Sequence, residues 1–171
     1  MTKFPKKEIN ATFLMGMVAA LRSDVASWRR DGQRIGLRFN EDLWYLVELS
    51  ASTSPTQAGF RATVGVGSVG LQRVLPIGSK ATMPWIHVGE VYKPTLQPDG
   101  LGSPGSDWIV MTRFEHVPMQ VRQLSLHTLS HKEKWLARCA SSDLFISEVR
   151  SLGNPLYASI LAARRDEDNL E

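Results

Sequence analysis

The stretch RIGLRFNEDLWYLVELSASTSPTQAGFRATVGV, from Arg34 to Val66, decides the fold. Ile35, Leu37 and Phe39 alternate with Arg34, Gly36 and Arg38, the period-two pattern of a strand with one apolar face. Asn40-Glu41-Asp42 reads as a turn, and Leu43 to Leu49, rich in aromatic and branched side chains, as the returning strand. Thr53 to Gly59, interrupted by Pro55, then leads to a third strand from Phe60 to Val66. Short strands separated by turns predict an antiparallel sheet, because a parallel one would need a long crossover between each pair.

Upstream, Leu14, Met17, Leu21, Val25 and Trp28 recur every three or four residues, the stripe of an amphipathic helix that Asp31-Gly32 would end. Lys3, Lys6 and Lys7 before the apolar run Ala11 to Leu21 imitate a secretory signal. The stripe runs past the small-residue cut at Val18-Ala19-Ala20, however, so a core helix of a cytoplasmic protein is the expectation. Downstream, strands are expected at Trp85 to Tyr92 and Trp108 to Phe114, separated by Pro94 to Asp107, a loop rich in proline and glycine. The last third reads as helical, with Pro118 near a first turn. Ser130-His131-Lys132-Glu133 has the form of a capping box, which predicts a new helix starting there. Ser142 is expected to cap another helix, and Asn154-Pro155 to open a final one. The expectation is one α+β domain over residues 1–165: an amino-terminal helix, four or five antiparallel strands and three or four carboxyl-terminal helices, followed by a frayed acidic tail at 166–171.

The 171 residues, 43% hydrophobic, can bury a core without metal or disulfide staples. Cys139 is the only cysteine, so no internal disulfide can form and a reducing compartment fits. The net charge is +3, but residues 1–40 carry eight lysines and arginines against three acids. That basic end supplies candidate anion-binding residues, Lys6, Lys7, Arg29 and Arg30, and predicts nucleic-acid binding that is weak at most and sensitive to salt.

Motifs that carry chemistry are few. Gly65-Val66-Gly67-Ser68-Val69-Gly70 matches the dinucleotide fingerprint G-x-G-x-x-G. Pro76 and Gly78 leave too little chain after it for the long helix that would hold a pyrophosphate, so close backbone packing is expected and no cofactor. His127 and His131 have the four-residue spacing of metal ligands on one helix, but a cap at Ser130 would divide them between two helices, and no metal is expected. Glu115-His116 offers the alternative of a small hydrolase, with an acid beside a base at a strand exit. Five tryptophans are spread over the expected elements. Trp85 and Trp108, flanking the long loop with Asp99 and Asp107, are the candidate partner-binding residues.

The ordered features, Gly32 to Phe39 entering a hairpin, the strand Leu43 to Ser50, Phe60-Arg61-Ala62-Thr63-Val64-Gly65-Val66, the Trp108 strand and the Trp135-Leu136 helix, resemble a family of uncharacterised bacterial proteins catalogued as a domain of unknown function. The resemblance spans about residues 10–153. It implies helices around an antiparallel sheet and brings no active-site residues. The expected function is a non-enzymatic module that binds a protein partner, such as an immunity or accessory protein of a bacterial conflict system.

Overall fold

In a computed structural model that describes residues 3–74, 83–98, 101 and 105–152, the expected hairpins form and gain a strand. The strands are β1 (Arg29–Asp31), β2 (Arg34–Arg38), β3 (Leu43–Ala51), β4 (Ala58–Ser68), β5 (Val88–Val91) and β6 (Trp108–Met111). Every pairing is antiparallel, in the order β1-β2-β3-β4, with β5 and β6 both on the outer edge of β4. Gly32, at φ 61°, makes the tight β1–β2 turn that a β-branched residue could not. At the next turn the Asn40 side-chain oxygen accepts the amides of Asp42 and Leu43, at 2.9 and 2.8 Å.

The outer edge of β4 is shared. Thr63 to Val66 pair with Val91 to Val88, and Ala58 to Arg61 pair with Met111 to Trp108. β5 and β6 therefore run in the same direction along β4, like one edge strand interrupted by the excursion 92–107.

The helices are α1 (Lys6–Asp24), the short α2 (Val69–Val74), α3 (Val117–Arg138) and α4 (Ser142–Leu152), with a 3-10 turn at Phe114–His116 before α3. α1, α3 and α4 share one core with the sheet. Period-two alternation in β3 sends Tyr45 and Val47 into it, and Trp44 and Leu46 into a smaller cluster with Met83 on the other face. Phe13 stacks on Phe60 with ring centroids 5.2 Å apart, joining α1 to β4. The buried Tyr45 hydroxyl donates to the Thr128 carbonyl at 2.6 Å, joining the sheet to α3. Burying each large apolar side chain of this kind contributes about 1.5–3 kcal/mol before conformational entropy is subtracted.

Several local expectations change. The capping box at Ser130 does not form, since α3 runs through it without a break. The Ser130 hydroxyl donates to the His127 carbonyl at 3.0 Å, the back-bonding a serine makes inside a helix. α1 ends at Asp24, so Val25 lies outside the stripe and is 36% exposed, while Ile9 and Phe13 extend it in the other direction. At α4, whose first residue is Ser142, the amide of Leu144 donates to the Ser141 hydroxyl at 3.2 Å, so Ser141 stands at the cap position. The helix expected from Asn154-Pro155 and the tail lie outside the described residues.

Candidate functional site

The glycine-rich motif is packing. Gly65 and Gly67 belong to β4, and a Cβ on them would run into the carbonyl oxygens of Val88 and Trp85 respectively. At the start of α2 the Asp42 carboxylate already occupies the place a phosphate would need. It accepts the Gly70 amide at 2.7 Å and the Ser68 hydroxyl at 2.8 and 2.9 Å, while that hydroxyl accepts the Leu71 amide at 3.0 Å. His87 Nδ1 accepts the Ser68 amide at 3.0 Å, and its Nε2–H faces the Gln72 carbonyl oxygen at 3.2 Å. Burial pushes the His87 imidazole down to about 4, with Asp42 opposing part of the effect. Serine, histidine and aspartate thus meet here, but the serine hydroxyl is buried and already bonded on both sides, so this cluster ties α2 to the sheet.

Glu115 is exposed on the 3-10 turn, and His116 is buried beside it. His116 Nδ1 accepts the Thr112 amide at 3.1 Å, and Nε2 lies 3.3 Å from an Arg113 guanidinium nitrogen. Both ring nitrogens face their own turn, which leaves little for a substrate.

Trp85 and Trp108 attach at separate points along β4. Trp108 stands opposite Arg61, whereas Trp85 lies against Gly67, six residues and about 20 Å further along β4. Trp108 is 37% exposed. Trp85 lies under the Arg34 guanidinium, 5.8 Å from its ring centroid. Asp107 pairs with Arg61 at 2.8 Å, and Asp99 lies outside the described residues. The start of the loop is fastened to α3 by glutamines: Gln123 bonds both backbone groups of Leu96 at 3.0 Å, and Gln120 donates to Gln97 at 3.1 Å. Gln97 and Gln120 also donate to the carbonyls of Trp108 and Val110, covering the outer edge of β6.

The basic residues form two groups. Lys6 donates to the Ser54 carbonyl at 2.7 Å, beside exposed Lys7 at the start of α1. Arg22 lies 16 residues further along the same helix, about 24 Å away. There Arg30 joins it around a groove of about 450 Å³ whose apolar lining is Met15, Val18 and Ala19. Arg22 Nε donates to the Trp28 carbonyl at 2.9 Å and Arg30 Nε to the Gly32 carbonyl at 2.7 Å. The nearby acids are engaged elsewhere, Asp24 with Lys132 and Asp31 with Arg34. Arg29, the neighbour of Arg30 on β1, is exposed and does not line the groove.

Because α3 is unbroken, His127 and His131 lie one turn apart on it, their rings stacked with centroids 4.0 Å apart. Glu90 of β5 joins them, and the ligand atoms of the three residues all lie within 4.8 Å of one another. The Tyr92 ring meets His127 edge-on at 4.9 Å. Burial, then His131, holds the His127 imidazole below the usual histidine range; Lys134 adds to this and Glu90 opposes it. Glu90 carried no signal of its own in the sequence, and only the histidine spacing pointed here. Just past the end of α3, burial pushes the Cys139 thiol up to about 12, which argues against a nucleophile there.

Comparison with protein-family models, curated proteins and solved structures yields no match.

Proposed function

We propose that the chain is a non-enzymatic binding module that receives an acidic protein segment in the groove between α1 and β1. The observation that carries this reading is the pair of guanidiniums, Arg22 and Arg30, at an apolar groove without a carboxylate partner among the described residues. Each is fixed through Nε to a backbone carbonyl, so its terminal amino groups are oriented in advance and lose little freedom on accepting a carboxylate. Met15, 67% exposed, supplies adaptable apolar surface next to them. The excess of basic residues over 1–40 favours encounter with a partner of opposite sign. An immunity or accessory role is the wider setting we assign to such a module, and the backbone-bonded His116 lends no support to the hydrolase alternative.

The test is affinity capture from native lysate with the full chain, read by mass spectrometry, alongside the double variant Arg22→Glu/Arg30→Glu and a control, Lys6→Glu/Lys7→Glu. An acidic polypeptide should be enriched at near-stoichiometric level by the wild type and the control and lost with the double variant. Capture that survives reversal at Arg22 and Arg30, or that depends on Lys6 and Lys7, would refute the assignment.

A further inference from the structure

We propose that Glu90, His127 and His131 form a binding site for a divalent d-block ion, with Zn²⁺ the best match, which fastens β5 to α3. Two imidazoles and a carboxylate on two different elements make a recurrent zinc ligand set, with water left to complete the tetrahedron. Nitrogen donors argue against Mg²⁺ and Ca²⁺, which favour oxygen.

An independent observation points to a missing ligand. His127 Nε2 is enclosed by protein and has no hydrogen-bond partner. A buried ring nitrogen left without one keeps an uncompensated desolvation cost, which metal coordination would offset. His131 is prepared in the complementary way. Its Nδ1 lies 2.8 Å from the His127 carbonyl, so Nδ1–H donates there and Nε2 keeps its lone pair. This is the second bond that metal-bound histidines usually make, and it fixes both tautomer and ring orientation.

Geometry sets the adjustment that binding requires. Zinc–nitrogen bonds of about 2.0 Å at tetrahedral angles put ligand atoms about 3.3 Å apart. The present separations, up to 4.8 Å, close by torsions of the partly exposed Glu90 and His131. Thr128 stands where the metal-dependent H-E-x-x-H hydrolases carry glutamate, and its hydroxyl donates to the Leu124 carbonyl at 2.7 Å. The glutamate that would act as general base for a metal-bound water is therefore absent from the motif, and the role proposed for the site is a structural tie between β5 and α3. It is separate from the groove between α1 and β1 and does not depend on that reading.

The experiment titrates the chelator-treated full chain with zinc sulfate against a chromophoric indicator and follows the melting temperature in parallel. One equivalent should bind and raise the melting temperature, unaffected by millimolar Mg²⁺, and Co²⁺ should give the visible bands of a tetrahedral site. His131→Ala and Glu90→Gln should each weaken binding at least as much as the loss of an outer-shell partner, about tenfold or more, and abolish the melting shift. Far-ultraviolet circular dichroism of the metal-free variants confirms that both are folded. Lack of saturable binding by the wild type at micromolar zinc, or equal binding by the folded variants, would overturn the proposal.

Discussion

Lowering the pH should unfold this domain partly through one residue, His87. Its imidazole is 7% exposed, and burial holds it down to about 4, against about 6.5 in the unfolded chain. Between these values the unfolded state binds the proton and the folded state does not. Stability from this group is therefore complete above pH 6.5 and falls as the pH drops toward 4. By proton linkage the loss reaches about 2.5 kcal/mol at pH 4.5, a large part of the roughly 5–15 kcal/mol that holds a domain of ordinary size together. Protonation also removes the lone pair on Nδ1 that accepts the Ser68 amide, so the bond joining the end of β4 to the 83–87 segment breaks with it. Urea unfolding of the wild type and His87→Gln at pH 7.5 and 4.5 isolates the effect, because carboxylates elsewhere titrate alike in both proteins and cancel. The wild type should lose about 2.5 kcal/mol more than the variant, and a nuclear magnetic resonance titration should put the His87 midpoint well below 5. Equal losses in both proteins, or a midpoint near 6.5, would refute the reasoning.

Gly67→Ala should cost at least about 1–3 kcal/mol, because its Cβ would meet the Trp85 carbonyl, and backbone moves aside less readily than a flexible side chain. An unchanged urea midpoint would show that the motif is not held by packing. Trp108→Ala should cost about 1 kcal/mol, given its 37% exposure, whereas Trp135→Ala, 1% exposed, should cost about 3–5 kcal/mol. Thermal denaturation compares the two, and equal losses would place Trp108 in the core.

What could be read from the sequence was whatever depends on neighbours along the chain. Alternation around Ile35, Tyr45 and Val64 predicted β2, β3 and β4, and all three formed in antiparallel register. β1 has no apolar alternation to announce it, because Arg29, Arg30 and Asp31 are all polar and exposed. Only pairing with Arg34 to Gly36 makes them a strand. The capping box at Ser130 failed for a related reason. The same four letters fit a helix start and a helix interior, and the choice depends on whether a helix already arrives from Leu124 and Thr128. A break at Ser130 would separate His127 from His131, and Glu90, 37 residues from His127 along the chain, has no local pattern that joins it to them. The tryptophans show the same limit, since position along the chain puts Trp85 and Trp108 on either side of one loop, while the fold sets them against Gly67 and Arg61, six residues apart on β4.

The interrupted edge strand makes the domain a natural host for insertions. Val91 and Trp108 face Thr63 and Arg61, so the chain leaves the ladder and rejoins it only two residues further along β4. Both ends are pinned by the neighbouring strand, and lengthening what lies between them adds loop-closure entropy slowly, about 0.6 kcal/mol for each doubling. Chain length there is nearly decoupled from the sheet, so related sequences can differ in this segment by many residues and still share one scaffold. A foreign peptide or a small folded domain whose ends lie close together could be grafted at the same place, with the glutamines of α3 as the first contacts to preserve.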